Sequence, residues 1–191
     1  NRNLIKTPNG LQWLTIPVIT KGKYYQSIKE TVVSDKSWAK QHWRTITHNY
    51  SKAEYFDEYK DIIQETYRKC SDEMYLSNIN YIFLTMICDL LNIKTKISWS
   101  MDYELIDGRT ERLIGLCKSA NATHYISGPA AKCYIDEQLF INENINLSYM
   151  DYSGYPEYPQ LHGDFQHGVT IIDLIFNTGP NALKYMRSFN K

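Results

Sequence analysis

The sequence between residues 108 and 136 constrains the fold more than any other stretch. Its first part places apolar residues at helical spacing, namely Leu113, Ile114, Leu116 and Cys117. A short aromatic and β-branched run follows at residues 124–126 and is typical of a buried strand. Ser127, Gly128 and Pro129 then provide a turn into a second helix, because proline suits the first helical position. The stretch therefore predicts helix, strand, turn and helix.

The chain after residue 94 alternates between strand-like and helix-like segments. Residues 95–100, 124–126 and 145–149 resemble strands, and the helical segments 109–119 and 129–140 separate them. A β-α-β-α-β order favours right-handed crossovers and a parallel sheet, with ligands beyond the carboxyl ends of the strands. We therefore predict an α/β fold, a three-layer Rossmann-like parallel sheet with a helical cover.

The three helices predicted between residues 34 and 91 are expected to cover the sheet, and the rest of the chain adds strands before them and closing helices at the end. Residues 11–18 alternate in polarity, and the turn signal at Asn9-Gly10 makes them the second strand of a hairpin that starts near residue 4. A further short strand is expected at residues 28–33. Helical spacing predicts five more helices, at residues 34–49, from residue 51 through Tyr67, and at 77–91, 169–176 and 180–188.

Length and composition limit the class of protein. The 191 residues suit a single domain over residues 1–191, long enough to bury about 70% of the surface of the unfolded chain. The 21 basic and 21 acidic residues balance, so neither nucleic acid nor an anionic membrane is an expected partner. No apolar run approaches the roughly 18 residues that span a bilayer, so membrane insertion is not expected. Four scattered cysteines are typical of a reducing compartment, which predicts a cytoplasmic protein.

A candidate phosphate-binding site lies at the turn after residues 124–126. Ser127 and Gly128 begin the next predicted helix, whose free N–H groups favour an anion such as phosphate. Lys132 lies about one turn into that helix, where its ammonium can reach a bound phosphate, and Arg112 adds a cation from the preceding helix. The alternative is an ordinary helix N-terminus, with both basic side chains facing solvent.

Residues 151–168 form a long segment rich in Tyr, Pro, Gly and His, a composition expected of a functional loop. Aromatic rings pack on the C–H faces of sugars, while carboxylates and amides bind hydroxyl groups. The predicted sugar-binding residues are Tyr152, Tyr155, Glu157, Tyr158, Gln160 and Asp164. A loop held by Pro156 and Pro159, whose tyrosines cover the core, explains the same residues equally well.

His162 and His167 are the candidate catalytic residues. A histidine with its ordinary pKa of about 6.5 can act as general base toward an amine or hydroxyl near neutrality. Their spacing in a glycine-containing loop matches no standard zinc pattern, so no metal is expected, and no residue pattern indicates a particular cofactor. Arg44 and His48 share a helical face at i, i+4, a pair that can hold an anion or stabilise the end of its own helix.

Five blocks in the same order resemble the WbqC-like protein family over essentially the whole chain. They read RNLIKTPNGLQWLTIPV, QHWRTITHNYSKAEYF, TERLIGLCK, THYISGPAAKCYID and DYSGYPEYPQLHGDFQHGVTIIDLIFNTGP. Members are often encoded among bacterial genes for O-antigen, the lipopolysaccharide side chain, and other surface polysaccharides. The resemblance therefore implies a cytoplasmic role in making or modifying an activated sugar. Relatives begin with an additional strand and a Gln-Pro segment, which we expect to be absent from this chain.

These patterns lead to the hypothesis that the protein binds a nucleotide-linked or phosphorylated sugar over the 127–132 turn and transfers a small group to it. The 152–167 loop holds the sugar in this hypothesis, and His162 or His167 moves the proton. Two alternatives stay open. One is a non-catalytic sugar-nucleotide-binding or scaffold module of the same pathway, and the other is a self-associating structural protein whose tyrosines fill the interface of a homo-oligomer.

Overall fold

The computed structural model describes residues 1–187. Its strands and α-helices are, in chain order, β1 (Arg2–Thr7), β2 (Gly10–Thr15), α1 (Trp38–Tyr50), α2 (Phe56–Cys70), α3 (Leu76–Leu90), α4 (Thr110–Ser119), β3 (His124–Ser127), α5 (Glu137–Asn142), β4 (Asn146–Tyr149) and α6 (Ile171–Thr178). Short 3-10 segments occur at Ile28–Glu30, Ser100–Asp102, Pro129–Cys133 and Gly179–Tyr185. Among the helices of these described residues, none has the length and apolar character needed to cross a membrane.

The described residues divide into two compact units. Unit 1 consists of Asn1–Lys94 together with the described residues from Tyr155 onward, and unit 2 is the continuous segment Thr95–Gly154. Unit 1 therefore contains β1, β2, α1, α2, α3 and α6, whereas unit 2 contains α4, β3, α5 and β4. The division concerns spatial contacts, so the expectation of one domain over residues 1–191 stays a prediction.

β1 and β2 form the hairpin that the Asn9-Gly10 signal predicts. They pair in antiparallel register from Arg2 opposite Thr15 to Thr7 opposite Gly10. Gly10 has a φ of +103°, which side chains with a Cβ rarely adopt, so the turn depends on glycine here. The hairpin brings residues 6–12 close to α1, and the candidate site lies between them.

α6 is the central helix of unit 1. Residues 172–178 are all buried, which is typical of a helix enclosed by other elements. Phe176 packs against the rings of Tyr50 and Phe56, with ring centroids 5.7 and 4.9 Å away. Thr170 caps the helix because its hydroxyl accepts a hydrogen bond from a backbone N–H of the first turn. Every side chain of α6 beyond its first residue is thus enclosed within the core.

The three predicted N-terminal helices are present as α1, α2 and α3, with shifted starts. α1 begins at Trp38 rather than at residues 34 or 35 because the Asp35 carboxylate accepts hydrogen bonds from the N–H and hydroxyl of Ser37. This local turn occupies the residues before the helix. The apolar faces of the three helices contribute Ile46, Ile63 and Ile79 to one core, all buried.

Unit 2 is built around the parallel pair β3 and β4, which the sequence predicts. The register runs from His124 opposite Asn146 to Ser127 opposite Tyr149. α5 supplies the buried Phe140, whose ring stacks on that of a β3 tyrosine at 5.4 Å. α4, also predicted, adds buried residues to the same small core.

The predicted three-layer Rossmann-like parallel sheet is wrong. The described residues form a mostly helical α/β structure with two small two-stranded sheets, β1–β2 and β3–β4. Residues 95–100, the expected first strand of the large sheet, are not a strand, and most of their side chains are exposed. A parallel sheet requires both faces to be covered. This segment has no such cover, so its alternating pattern does not produce a strand.

The predicted helix at residues 129–140 is divided in two. Pro129–Cys133 forms a 3-10 segment, and α5 begins only at Glu137. Asp136 starts the second part, because its carboxylate accepts from the Gln138 N–H. A strong capping residue inside a helical pattern therefore interrupts the helix.

Two other local predictions change. Residues 28–33 form a 3-10 turn followed by isolated bridges between Val18 and Val33 and between Val32 and Tyr75, rather than a strand. The expected closing helix at residues 180–188 is the 3-10 segment Gly179–Tyr185, and Ser188 lies outside the described residues.

Candidate functional site

A buried carboxylate lies at the centre of unit 1. Asp173 in α6 is fully buried and accepts hydrogen bonds from the Tyr50 hydroxyl at 2.7 Å, the Tyr158 hydroxyl at 2.8 Å and the Gln160 side-chain amide at 3.0 Å. Burial, together with the nearby charge of Asp173, raises the pKa of Tyr50 and of Tyr158. Both phenols therefore stay protonated and donate to the carboxylate, which offsets its desolvation.

Lys6 in β1 also binds the segment that contains Tyr158 and Gln160. Its buried ammonium donates to the Gln160 side-chain oxygen at 2.8 Å and to the backbone carbonyls of Gly163 and Asp164. Three acceptors match the three N–H bonds of an ammonium. We call Lys6, Tyr50, Tyr158, Gln160 and Asp173 the clasp. It fixes the segment 158–164 between β1 and α6.

Of the predicted catalytic histidines, His162 lies within this fixed segment and His167 lies just beyond it. His162 Nε2 is 2.9 Å from the backbone carbonyl of Asn49 at the end of α1. A carbonyl only accepts hydrogen bonds, so Nε2 carries the proton and Nδ1 retains a lone pair. His167 is exposed, and its ring contacts Phe165 edge-on at 4.6 Å. His162 is thus attached to α1, whereas His167 projects from the surface.

An open polar cleft of about 920 Å³ lies between the β1–β2 turn and the end of α1. Its wall from the hairpin is formed by Thr7, Pro8, Asn9 and Gln12. Its wall from α1 is formed by Gln41, Arg44, Thr45, Thr47, His48 and Asn49. The size is within the range of small-molecule sites, about 300–1,000 Å³.

The side chains of the cleft walls are mainly neutral polar or basic. Amides and hydroxyls predominate, Arg44 and His48 contribute the basic groups, and none of the described lining residues is acidic. Within residues 1–187 neither basic side chain has a hydrogen bond or an ion pair. An arginine offers a planar set of donors that suits phosphate or carboxylate oxygens. The walls can therefore bind an anionic ligand that also carries hydroxyl groups.

The predicted phosphate-binding residues lie in unit 2. Ser127 ends β3, and its carbonyl accepts from the Met150 N–H at 2.8 Å. The Lys132 ammonium lies 5.0 Å from the centre of the Tyr149 ring, a cation–π arrangement. The guanidinium of Arg112 donates to a neighbouring backbone carbonyl at 3.1 Å and lies 3.8 Å from Asp107. Both basic side chains thus have partners within their own unit.

The predicted sugar-binding residues are distributed over both units. Tyr152 belongs to unit 2, where its hydroxyl lies 3.9 Å from the position that a Cβ on Gly128 would take. Tyr155 and Glu157 belong to unit 1, the first half-buried and the second exposed. Tyr158 and Gln160 belong to the clasp and face the interior, whereas Asp164 contributes its carbonyl to Lys6 and keeps an exposed side chain.

The sequence identified only part of the cleft. The spacing identifies Arg44 and His48 as a helical pair, but it does not identify the hairpin residues of the opposite wall, including Asn9 and Gln12. One signal was present. Gln41, Arg44, Thr45 and His48 follow the i, i+3, i+4, i+7 spacing of a single polar helix face.

Comparison with known proteins supports a family assignment. The model of the WbqC-like protein family matches residues 1–185. The chain is 46% identical over 187 residues to the uncharacterized protein Rv1507c of Mycobacterium tuberculosis (strain ATCC 25618 / H37Rv), an alignment that covers 98% of this chain and 80% of that protein. Among solved structures, none matches at a significant level. On the extent of the family match and this identity, the chain belongs to the WbqC-like protein family.

Proposed function

We propose that this protein binds an activated sugar, either nucleotide-linked or phosphorylated, in the polar cleft of unit 1 during bacterial surface-polysaccharide biosynthesis in the cytoplasm. The observation that carries the proposal is the combination of two unpartnered basic side chains, Arg44 and His48, with walls of amides and hydroxyls. In this proposal the basic pair binds phosphate, and Asn9, Gln12 and Gln41 bind sugar hydroxyls.

Transfer of a small group to the bound sugar is the second part of the proposal. His162 is not one of the residues that line the cleft, but its Nε2 donates to the backbone carbonyl of Asn49, which is. In the proposed step Nδ1 takes the proton from the sugar amine or hydroxyl that attacks the group donor, and the leaving group departs from that donor. The hydrogen bond to a carbonyl fixes the tautomer that leaves Nδ1 basic. The unit 2 residues Ser127, Gly128, Lys132 and Arg112 stay a separate prediction for phosphate binding.

Calorimetric titration of the full-length protein with a panel of nucleotide sugars and sugar 1-phosphates tests the binding site. Arg44→Gln should weaken binding by about 10- to 100-fold, the loss expected for a hydrogen bond to a charged group. Lys40→Gln is the matched control, because Lys40 is an exposed cation one turn earlier in α1 that does not line the cleft. Lys132→Gln tests the turn in unit 2 in parallel.

The outcomes separate the two locations. If Arg44→Gln weakens sugar binding and Lys132→Gln binds normally, the result supports the cleft as the binding site. The opposite result supports a phosphate site in unit 2. Unchanged affinity of Arg44→Gln, or no binding by any member of the panel, refutes the proposed cleft function.

A binding module without turnover is the second candidate function. It is favoured by the absence of acidic residues from the described cleft walls, since carboxylates are frequent acid–base groups in sugar chemistry. Incubation of the protein with the sugar that it binds and a panel of group donors distinguishes the two. Catalysis requires a product that forms with the parent protein and is lost in His162→Ala, whereas the binding module forms no product.

A further inference from the structure

The segment 19–30 of unit 1 carries an exposed apolar surface that the cleft does not use. Tyr24, Tyr25 and Ile28 are 89%, 94% and 77% exposed, far above what large apolar side chains of a folded core show. Ile19 at the start of the segment is 43% exposed. The rings of Tyr24 and Tyr25 contact each other edge to face, with centroids 5.0 Å apart. Large apolar side chains exposed together in this way are typical of a contact site.

The segment is folded. Its base is closed by the Val18–Val33 bridge and by a hydrogen bond of 2.9 Å from the Ile19 N–H to the Val32 carbonyl. Inside it, the Gln26 side chain donates to the Ile19 carbonyl at 3.0 Å. Because these bonds hold the projection in shape, the tyrosines are presented outward before any partner binds, which lowers the entropic cost of association.

The charge around the exposed aromatic pair is positive. Lys21, Lys23 and Lys29 lie within the segment, and none of them has an ion pair within the described part of the chain. Glu30 is the only acid in residues 19–30, and its carboxylate binds the N–H and hydroxyl of Ser27. With three lysines and one glutamate, residues 19–30 carry a net charge of +2.

We propose that residues 19–30 are a docking projection for the surface of an anionic lipid bilayer. Tyrosine side chains have an apolar body and a polar tip, which suits the boundary between headgroups and acyl chains, while lysines beside them attract anionic headgroups. Tyrosine is also enriched in protein–protein interfaces, but lysine is depleted there, so the lysines beside the tyrosines favour the anionic bilayer. The zero net charge of the chain does not oppose this, since charges act over about 10 Å at moderate salt.

Vesicle co-sedimentation of the full-length protein tests the proposal. Vesicles of equimolar phosphatidylglycerol and phosphatidylcholine are compared with phosphatidylcholine alone. The protein should sediment with the anionic vesicles, and Lys21→Gln with Lys23→Gln should lower the partition coefficient by about 30-fold, which corresponds to about fivefold for each lysine. Tyr24→Ser with Tyr25→Ser should lower it by about tenfold or more.

A double variant in unit 2 controls for a general loss of exposed apolar surface. Tyr134→Ser with Ile141→Ser removes exposed apolar side chains from unit 2 and should leave vesicle binding unchanged. Thermal unfolding confirms that each variant is folded. The proposal is overturned if the parent protein does not bind anionic vesicles, or if it binds neutral vesicles as strongly as anionic ones. It is also overturned if the lysine and tyrosine double variants of residues 19–30 sediment with vesicles as the parent does. It is also overturned if sedimentation velocity shows that the tyrosine variants abolish a dimer, since the surface then joins two copies of this chain.

Discussion

At the scale of single residues, Gly179 shows how closely the end of α6 is packed. It follows the helix with a φ of +51°, and a Cβ placed there would overlap the ring of Tyr55. The Tyr55 N–H in turn binds the carbonyl of Phe176 at 2.9 Å, which restricts how far the ring can move. Conformation and packing both require glycine at this position.

Gly179→Ala should therefore destabilise the protein by about 2–4 kcal/mol, because backbone strain adds to an overpacked contact. Gly163→Ala is the control for a positive φ alone, since Gly163 has the same φ of +51° with nothing near its missing Cβ, whereas Gly179 combines that φ with a ψ of −125°, outside the left-handed helical region. The control should cost only the backbone term, about 1–2 kcal/mol. Urea unfolding measures both, and equal losses would contradict the role of the Tyr55 contact.

Asp173 is the residue on which the clasp depends. Its two oxygens accept three hydrogen bonds from donors that have no other carboxylate among the described residues. Asp173→Asn replaces one acceptor by a donor of the same shape and should destabilise the protein by about 2–4 kcal/mol. Asp164→Asn lies in the loop that the clasp holds, outside α6, and has an exposed side chain, so it should have little effect on the urea midpoint. Similar midpoints for the two variants would show that the carboxylate is not required.

His42 predicts a pH dependence of stability. Burial lowers the pKa of His42, so the folded state takes up its proton at a lower pH than the unfolded state, whose histidine has a pKa of about 6.5. The contribution of this residue is complete above about pH 6.5 and is lost as pH falls toward the folded pKa. Urea unfolding between neutral and acid pH should show this decline.

The control for this prediction is His42→Gln, whose amide can still donate to the Thr15 carbonyl that His42 contacts at 3.0 Å. Its stability should fall less steeply over the same pH range, although it is less stable at neutral pH. An identical slope in both proteins assigns the decline to other groups.

At the scale of elements, local patterns predicted local structure well. The hairpin and helices α1 to α4 follow from spacing and turn residues within short windows, and the parallel pair β3–β4 follows from the β-α-β order of neighbouring segments. Residues 95–100 have an equally good strand pattern but lack a paired neighbour and cover, so they are not a strand. Sheet formation depends on partners distant in sequence, which a window does not contain.

The same limit explains what was missed around the loop 151–168. Its composition indicated function, yet Tyr158 and Gln160 serve the clasp through Asp173 and through Lys6, more than 150 residues earlier. The cleft likewise combines a helix face with a hairpin turn about 30 residues before it. Spacing within α1 identified the basic pair, but only the fold brings the amides of the turn opposite it.

At the scale of the whole molecule, the two units differ in how the chain supplies them. Unit 2 is one uninterrupted segment, whereas unit 1 requires residues from before and after it. The ribosome delivers a chain from its N-terminus, and domains tend to fold as soon as they are complete. All of Thr95–Gly154 is therefore synthesised before Tyr158, Gln160 and Asp173 exist. During translation Lys6 and Tyr50 therefore lack their final partners until residues 158–173 have been synthesised.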